Sequence, residues 1–153
     1  MKIAIASEHA GYALKEEIVK YLKENSYEIH DIGAKSDEPI DYPFIAADLS
    51  ERIAKGEFEK GVLICGTGTG MAIAAGKVPG VRSALCTDPY MAKMAREHND
   101  VNVLCLGTWI TGLKLSIAIV DEFLKSEFNG GRHTRRVNQI AELERKYGSK
   151  LEG

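Results

Sequence analysis

The chain has 153 residues, of which 44% are hydrophobic and 27% are charged, and its formal net charge is −2. This length suits one domain and falls well short of the roughly 250 residues of a typical TIM barrel. A charge so close to zero gives no general attraction for nucleic acid, so any anion site must be local.

The sequence also gives no indication of a membrane segment or a stabilising disulfide. No apolar run approaches the roughly 18 residues of a membrane span, and MKIAIASEHAG lacks the long apolar core of a secretory signal. We therefore expect a cytoplasmic protein. Its three cysteines, Cys65, Cys86 and Cys105, fit neither a disulfide framework nor paired zinc ligands, so reduced thiols and no metal site are expected.

Short apolar runs alternate with longer amphipathic segments, which is the pattern of a parallel sheet covered by helices. Five strands are predicted, at residues 2–7, 27–32, 61–66, 81–86 and 101–107. Apolar residues at helical spacing lie between them, in the sets Leu14, Ile18 and Leu22; Ile45, Leu49 and Ile53; and Leu113, Ile117, Val120 and Leu124. No repeat or linker interrupts this order, so residues 1–153 are interpreted as one α/β domain.

A last helix is predicted after the two glycines of FNGGRHTRRV. It carries Val137, Ile140, Leu143 and Tyr147 on one side, and no predicted strand follows it. Such a helix could fold back on its own domain or pack on another subunit, and the sequence leaves both possibilities open.

Ligands of open parallel sheets bind beyond the carboxyl ends of the strands, where several polar residues of this chain stand. They are Glu8 and His9 after the first strand, Cys65 and Gly66 to Gly70 after the third, Asp88 after the fourth, and Gly107, Thr108 and Trp109 after the fifth. The segment TGMAIAAGK is predicted to be helical. Its glycine-rich start would direct backbone N–H groups and the positive end of a helix dipole towards a ligand.

Three known glycine or cysteine motifs do not explain the stretch CGTGTGM. A P-loop is excluded because Met71 stands five residues before Gly76 and Val78 follows Lys77. The dinucleotide fingerprint is matched only weakly, since no third small residue has the required spacing. A phosphatase-type cysteine loop would need an arginine at position 71.

A thiol beside N–H donors suits a reaction in which a proton leaves carbon and an oxyanion must be stabilised, as in sugar isomerisation. A free thiol has a pKa of about 8.5 and helix amino termini lower such values, so Cys65 is a candidate general base near neutral pH. The alternative is that Cys65 is a small buried hydrophobe, a role that Cys86 and Cys105 fit better.

The remaining candidates have structural explanations as well. His98 and Asn99 come at the end of a helical stretch, where a cation complements the helix dipole. Glu8 could be a carboxylate that complements the positive end of the dipole at the start of the first helix. The run that contains Arg132, His133, Arg135 and Arg136 could bind a phosphate, although such runs are more often solvated basic faces.

Six segments occur in the order and spacing of one known family. They are SEHAG, DYP, CGTGTGMAIAAGK, GVRSALC, REHNDVNVLCLG and GGRHTRRV. Over roughly residues 1–147 the chain resembles the ribose-5-phosphate isomerase B and galactose-6-phosphate isomerase family. The resemblance implies a Rossmann-like three-layer αβα sandwich around a five-stranded parallel sheet. It also implies interconversion of D-ribose 5-phosphate and D-ribulose 5-phosphate through an enediolate, without a metal or an organic cofactor.

The resemblance further implies roles for individual residues. Cys65 would be the base, and His98 would assist ring opening. Thr67 would be a third catalytic residue, which contacts the sugar. The implied sugar contacts are Glu8, His9, Tyr42, Gly66, Gly68, Thr69, Gly70, Asn99 and Trp109. The implied phosphate contacts are His9, Arg132, His133 and Arg136. Members of this family are dimers or tetramers with shared sites, so a homodimer or homotetramer is expected, with the terminal basic segment reaching across.

Three departures from the family pattern bear on specificity. Glu8 stands where aspartate is usual, Trp109 stands where members of the ribose type commonly carry an arginine, and Gly76 stands where asparagine is frequent. The apolar surface of Trp109 makes an isomerase of free aldoses one alternative hypothesis. The others are a galactose-6-phosphate isomerase subunit of the same family and a non-catalytic phosphate-ligand or nucleotide-binding module that uses the same glycine loop.

Overall fold

The computed structural model describes residues 1–148. Five strands form one parallel sheet in the order β2-β1-β3-β5-β4. They are β1 Lys2–Ser7, β2 Glu28–Asp31, β3 Lys60–Cys65, β4 Ser83–Leu85 and β5 Val103–Gly107. The helices are α1 Tyr12–Glu24, preceded by a 3₁₀ turn at His9–Gly11, then α2 Tyr42–Ala54, α3 Thr69–Ala75, α4 Pro89–Asn99, α5 Leu113–Lys125 and α6 Arg132–Gly148.

The three-layer α/β architecture predicted from the sequence is confirmed. All five strands are present, although β4 and β5 both begin at later residues than predicted. The predicted single domain extends to residue 153, and its last five residues lie outside the described part of the chain. None of the helices in residues 1–148 is long and apolar enough to cross a membrane.

The two faces of the sheet carry separate apolar cores because successive side chains of a strand point to opposite faces. Ile3 and Ile5 of β1 belong to the core beneath α1, α4 and α5, which also includes Ile18 and Phe123. Ala4 and Ala6 belong to the other core, beneath α2 and α3. The central strands are therefore apolar on both faces, as buried parallel strands must be.

The amino-terminal edge of the sheet contains a buried lysine, Lys60, at the start of β3. Its Nζ donates to the carbonyl oxygens of Phe123 at 3.0 Å, Leu124 at 3.1 Å and Ser126 at 3.4 Å. Those carbonyls lie at the carboxyl end of α5, where a cation complements the helix dipole. Burial, and secondarily the positive charge of Arg96, lowers the pKa of Lys60 to about 8.

The first turn of α6 is anchored to the domain, while much of its apolar stripe is not covered. His133 is buried, but Ile140, Leu143 and Tyr147 are all about half exposed. The segment leading into α6 is attached to the end of α4 by the Asn129 N–H, which donates to the Glu97 carbonyl oxygen at 3.0 Å. This places the start of α6 at the amino-terminal edge of the sheet.

The lowered pKa of Lys60 predicts a pH-dependent stability. Below about pH 8 both the folded and the unfolded chain carry this proton, so the folded state bears the full cost of the buried charge. Between about pH 8 and pH 10.4 the folded chain loses the proton first, so the free energy of unfolding rises relative to that of Lys60→Met, by at most about 3 kcal/mol.

Urea unfolding of the wild-type protein and of Lys60→Met, at about pH 7 and about pH 10, measures this contribution of Lys60 to the free energy of unfolding. The comparison with Lys60→Met removes the contribution of every other titrating group. A difference in unfolding free energy between the two proteins that does not change with pH would contradict the prediction.

Candidate active site

Cys65 is the last residue of β3 and lies at the carboxyl-terminal edge of the sheet, 6% exposed. The chain then turns through Gly68, whose φ of +83° lies in the left-handed region that favours glycine. The N–H of Gly68 donates to the Sγ of Cys65 at 3.2 Å. A donor in this position interacts more strongly with a thiolate than with a thiol. The loop therefore acts on the sulfur directly, a contact that the sequence did not predict.

Cys65 opens into a cavity of about 340 Å³ at this edge. The lining residues are Glu8, His9, Ala10, Tyr42, Cys65, Gly66, Thr67, Gly70 and Trp109. All of them except Ala10 are candidates from the sequence or from the family resemblance. Gly68 and Thr69 belong to the same loop, since Gly68 caps α3 and Thr69 is its first residue. The structure thus brings one group of the candidates together around the thiol.

Glu8 and His9 lie next to each other on one wall of the cavity. Glu8 is buried, and its Oε1 accepts a hydrogen bond from the Gly11 N–H at 3.1 Å, so it caps the first turn as the sequence suggested. Its Oε2 lies 3.0 Å from the Nδ1 of His9. The Ile40 amide nitrogen lies 3.4 Å from that same Nδ1. The Glu8 carboxylate and the Ile40 N–H, which donates to Nδ1, together hold the His9 ring on this wall of the cavity.

Two aromatic rings lie directly on the glycine loop. A Cβ added at Gly66 would meet the Trp109 ring at 2.6 Å, and one added at Gly70 would meet the Tyr42 ring at 2.7 Å. Backbone bonds hold Trp109 in place, since its N–H donates to the Gly66 carbonyl oxygen at 2.9 Å. These glycines therefore admit aromatic walls, in addition to the N–H groups for which they were selected as candidates.

The other candidates lie elsewhere in the chain. The rings of His98 and His133 are stacked, with centroids 4.2 Å apart and planes inclined by 11°. Arg132 and Arg136 belong to the first turns of α6, beside His133. Burial lowers the pKa of His133, and the neighbouring His98, Arg132 and Arg136 lower it further. His133 therefore adds little positive charge at neutral pH, whereas Arg132 and Arg136 are permanently charged.

The direction of α4 explains why His98 is remote from Cys65. A helix that connects parallel strands returns the chain to the edge where the strands begin, so the last turn of α4 lies at the amino-terminal edge. Accordingly, Asp100, directly after α4, pairs with Arg82, directly before β4. The Arg82 Nη2 donates to Asp100 Oδ2 at 3.0 Å. The six residues of β3 span about 20 Å between the two edges.

Asn99, like His98, lies at the amino-terminal edge of the sheet. It lines a second cavity of about 390 Å³, together with Arg82, Ser83 and Ile140 among others, rather than the cavity at Cys65. Within one chain the candidates therefore form two groups at opposite edges of the sheet. The first group is at the thiol, and the second consists of His98, Asn99, Arg132, His133 and Arg136.

Comparison with known proteins identifies the family. A family model described as Ribose/Galactose Isomerase matches residues 3–140. The chain is 45% identical to ribose-5-phosphate isomerase B of Escherichia coli (strain K12) over 95% of its own length and 97% of that protein. The chain belongs to the ribose/galactose isomerase family.

Solved structures of this family have the same fold. A structure of Clostridium thermocellum ribose-5-phosphate isomerase B is 52% identical, with a TM-score of 0.94 over 96% of this chain and 99% of that one. A structure of ribose-5-phosphate isomerase B from Mycoplasma genitalium with bound ribulose-5-phosphate is 41% identical, with a TM-score of 0.90 over 94% and 96% of the two chains. The family predicted from six sequence segments is therefore confirmed.

The other two cysteines, Cys86 and Cys105, are buried in the apolar interior. Cys105 is fully buried in β5, and burial raises the pKa of its thiol well above the usual range. Burial, together with the charge of Asp88, raises the pKa of Cys86 to about 11. Both therefore remain protonated at neutral pH. In residues 1–148 no three His, Cys, Asp or Glu side chains are grouped in a way that could hold a metal ion.

The three thiols should differ in reactivity. Iodoacetamide at about pH 8 should alkylate Cys65 of the native protein first, because alkylation requires a thiolate that the reagent can reach. Cys86 and Cys105 should react only after unfolding. Peptide mass spectrometry of a labelling time course measures the three rates, and Cys65→Ala is the control, which should remain unlabelled. Faster native labelling of Cys86 or Cys105 than of Cys65 would contradict this ranking.

Proposed function

We propose that this family member interconverts D-ribose 5-phosphate and D-ribulose 5-phosphate, with Cys65 as the base. The observation that carries the proposal is the position of the Cys65 sulfur, which receives the Gly68 N–H and opens into a cavity lined by polar groups. Relatives that bear the name ribose-5-phosphate isomerase B, one of them with bound ribulose-5-phosphate, support the substrate. A cytoplasmic location remains a prediction.

The proposed reaction is a proton transfer between two neighbouring carbons. The Cys65 thiolate removes the proton from C2 of the open-chain aldose, and the electron pair moves through the C1–C2 bond onto the carbonyl oxygen. The resulting enediolate is stabilised by N–H donors of the loop from Gly66 to Gly70. A proton moves from the C2 hydroxyl to the C1 oxygen, and Cys65 returns its proton to C1, which yields the ketose.

The sugar hydroxyls would be held by the walls of the cavity. The Glu8 carboxylate offers a hydrogen-bond acceptor, the His9 ring offers a polar nitrogen, and the Thr67 hydroxyl offers both a donor and an acceptor. Tyr42 and Trp109 provide apolar surface for the carbon chain. This wall supplies little positive charge, so the phosphate needs cations from another part of the protein.

The second group of candidates supplies those cations. Arg132 and Arg136 are one helical turn apart at the start of α6, where the helix dipole also favours an anion. His98 lies beside them and is the proposed acid or base for ring opening. Because this group is separated from Cys65 of its own chain by the length of β3, a complete site requires the group of a second copy.

We therefore propose a homodimer, or a homotetramer built from such dimers, in which each site combines the two edges of different chains. A two-fold axis would create two equivalent sites, because each chain offers both groups. Exposed apolar side chains near the thiol support such an interface, since Phe44, Ile73 and Ile110 are 77%, 61% and 56% exposed. The exposed stripe of α6 supports it in the same way.

The decisive test is proton NMR of D-ribose 5-phosphate in deuterated water with EDTA-treated protein. We expect ribulose 5-phosphate with deuterium at C1, because the proton taken up by the Cys65 sulfur exchanges with the solvent before it is returned. Cys65→Ala should fold and assemble, yet lose at least about 100-fold in rate, because only the base is removed. Turnover at the wild-type rate by Cys65→Ala would assign the base to another residue.

The same assay separates the alternative functions. Galactose 6-phosphate and free aldoses at high concentration test the other two isomerase hypotheses. Binding of ribose 5-phosphate without any turnover would favour the non-catalytic module.

The shared site makes a second prediction. Cys65→Ala and His98→Ala should each be nearly inactive, but unfolding and refolding them together should restore about a quarter of the wild-type activity. Half of the randomly formed dimers are then mixed, and one of their two sites combines an intact Cys65 with an intact His98. A mixture that stays as inactive as its components would mean that each site belongs to one chain.

A further inference from the structure

The chain contains a second buried lysine, Lys15, that the proposed mechanism does not use. It lies in the first turn of α1, and its side chain is 0% exposed. Lysine is almost never fully buried unless it is paired, because taking an ammonium group out of water is costly. The groups that pair with the Lys15 ammonium group should therefore indicate its role.

The partners of Lys15 all lie at the carboxyl-terminal edge of the sheet or beside it. The Nζ of Lys15 donates to Asp31 Oδ2 at 2.5 Å and to the Ala34 carbonyl oxygen at 2.9 Å. It also lies 3.2 Å from Glu16 Oε1 and 4.9 Å from the centre of the Tyr12 ring. Two of these partners, Asp31 and Ala34, mark the point where the chain leaves β2.

Residues 32–41 connect β2 to α2, and their first part is firmly attached. The Ile32 N–H donates to the Ile5 carbonyl oxygen at 3.0 Å, and the Ala34 N–H donates to the Ser7 carbonyl oxygen at 3.2 Å. Lys15 binds the carbonyl oxygen of the same Ala34. From residue 35 to residue 44 the chain is exposed, so little packing fixes its course after this attachment.

The far end of this segment leads directly to residues that line the Cys65 cavity. The Ile40 amide nitrogen lies 3.4 Å from His9 Nδ1, and Tyr42, two residues later, places its ring on Gly70. Both His9 and Tyr42 line the cavity. The buried ammonium group of Lys15 therefore anchors a segment that contacts His9 through Ile40 and leads into Tyr42.

We propose that Lys15 is a positioning residue for substrate binding, which acts through residues 32–41 on His9 and Tyr42. The proposal rests on the proposed isomerase function. Without the ammonium group, Asp31 loses its buried partner and the Ala34 carbonyl oxygen loses a donor, so the segment is free to shift. Small displacements of groups that contact a substrate have large effects on its binding.

Steady-state kinetics with D-ribose 5-phosphate should compare Lys15→Met with the wild-type protein. We expect KM to rise about tenfold with a smaller change in kcat, because Cys65 and its loop are untouched. Asp31→Asn is the second variant. It keeps an oxygen for the Gly33 N–H but removes the charge that faces Lys15, and it should raise KM in the same direction.

Leu22→Ala is the matched control. Leu22 is fully buried on the same helix, but in its last turns, at the end remote from the cavity. The truncation should lower stability without changing KM. All variants are measured at a temperature at which circular dichroism shows each of them to be folded.

Hydrogen exchange provides a readout that does not depend on turnover. Peptides that cover residues 32–41 should exchange faster in Lys15→Met and Asp31→Asn, but not in Leu22→Ala. Unchanged KM and unchanged exchange in folded Asp31→Asn would overturn the proposal even if Lys15→Met does not fold. An inactive wild-type protein would overturn the proposed function instead, while the exchange experiment would still test the anchoring role.

Discussion

The organisation of this protein depends on one constraint, namely that all five strands run in the same direction. Residues that follow β1 and β3 must meet at one edge, so Glu8, His9 and Cys65 converge without any pairing between their segments. Each connecting helix must return to the other edge, so His98 ends there. The chemistry proposed for this chain is thus divided between two edges by the sheet itself, and the proposed complete site therefore requires a second copy of the chain.

The fold and the location of the thiol could be predicted because both follow from local patterns. Continuous apolar runs identify buried parallel strands, and the order of strands and helices then identifies the edge at which Cys65 and Glu8 lie. The strand ends were less predictable. At the start of β4, for example, the Arg82 N–H bonds the side chain of Asn102 at 2.8 Å, a side-chain contact that no periodicity reveals.

Contacts between distant segments could not be predicted, because a sequence specifies residue types but not their distances. The rings of Trp109 and Tyr42 on Gly66 and Gly70 are of this kind. Lys15 left a signal that was missed. It precedes Val19 by four residues and Leu22 by seven, so it stands on the buried face of α1, whereas Lys20 and Lys23 are exposed. A charged residue on a buried face indicates a specific partner.

The chain has a single tryptophan, and the structure places it at the mouth of the candidate site. The Trp109 ring rests against Gly66, the residue directly after Cys65, yet it is 73% exposed. Its emission is therefore a built-in optical reporter, sensitive to both the polarity and the quenching groups around the cavity. Any molecule that enters, including a second copy of the chain that covers the ring, will change that signal without an added label.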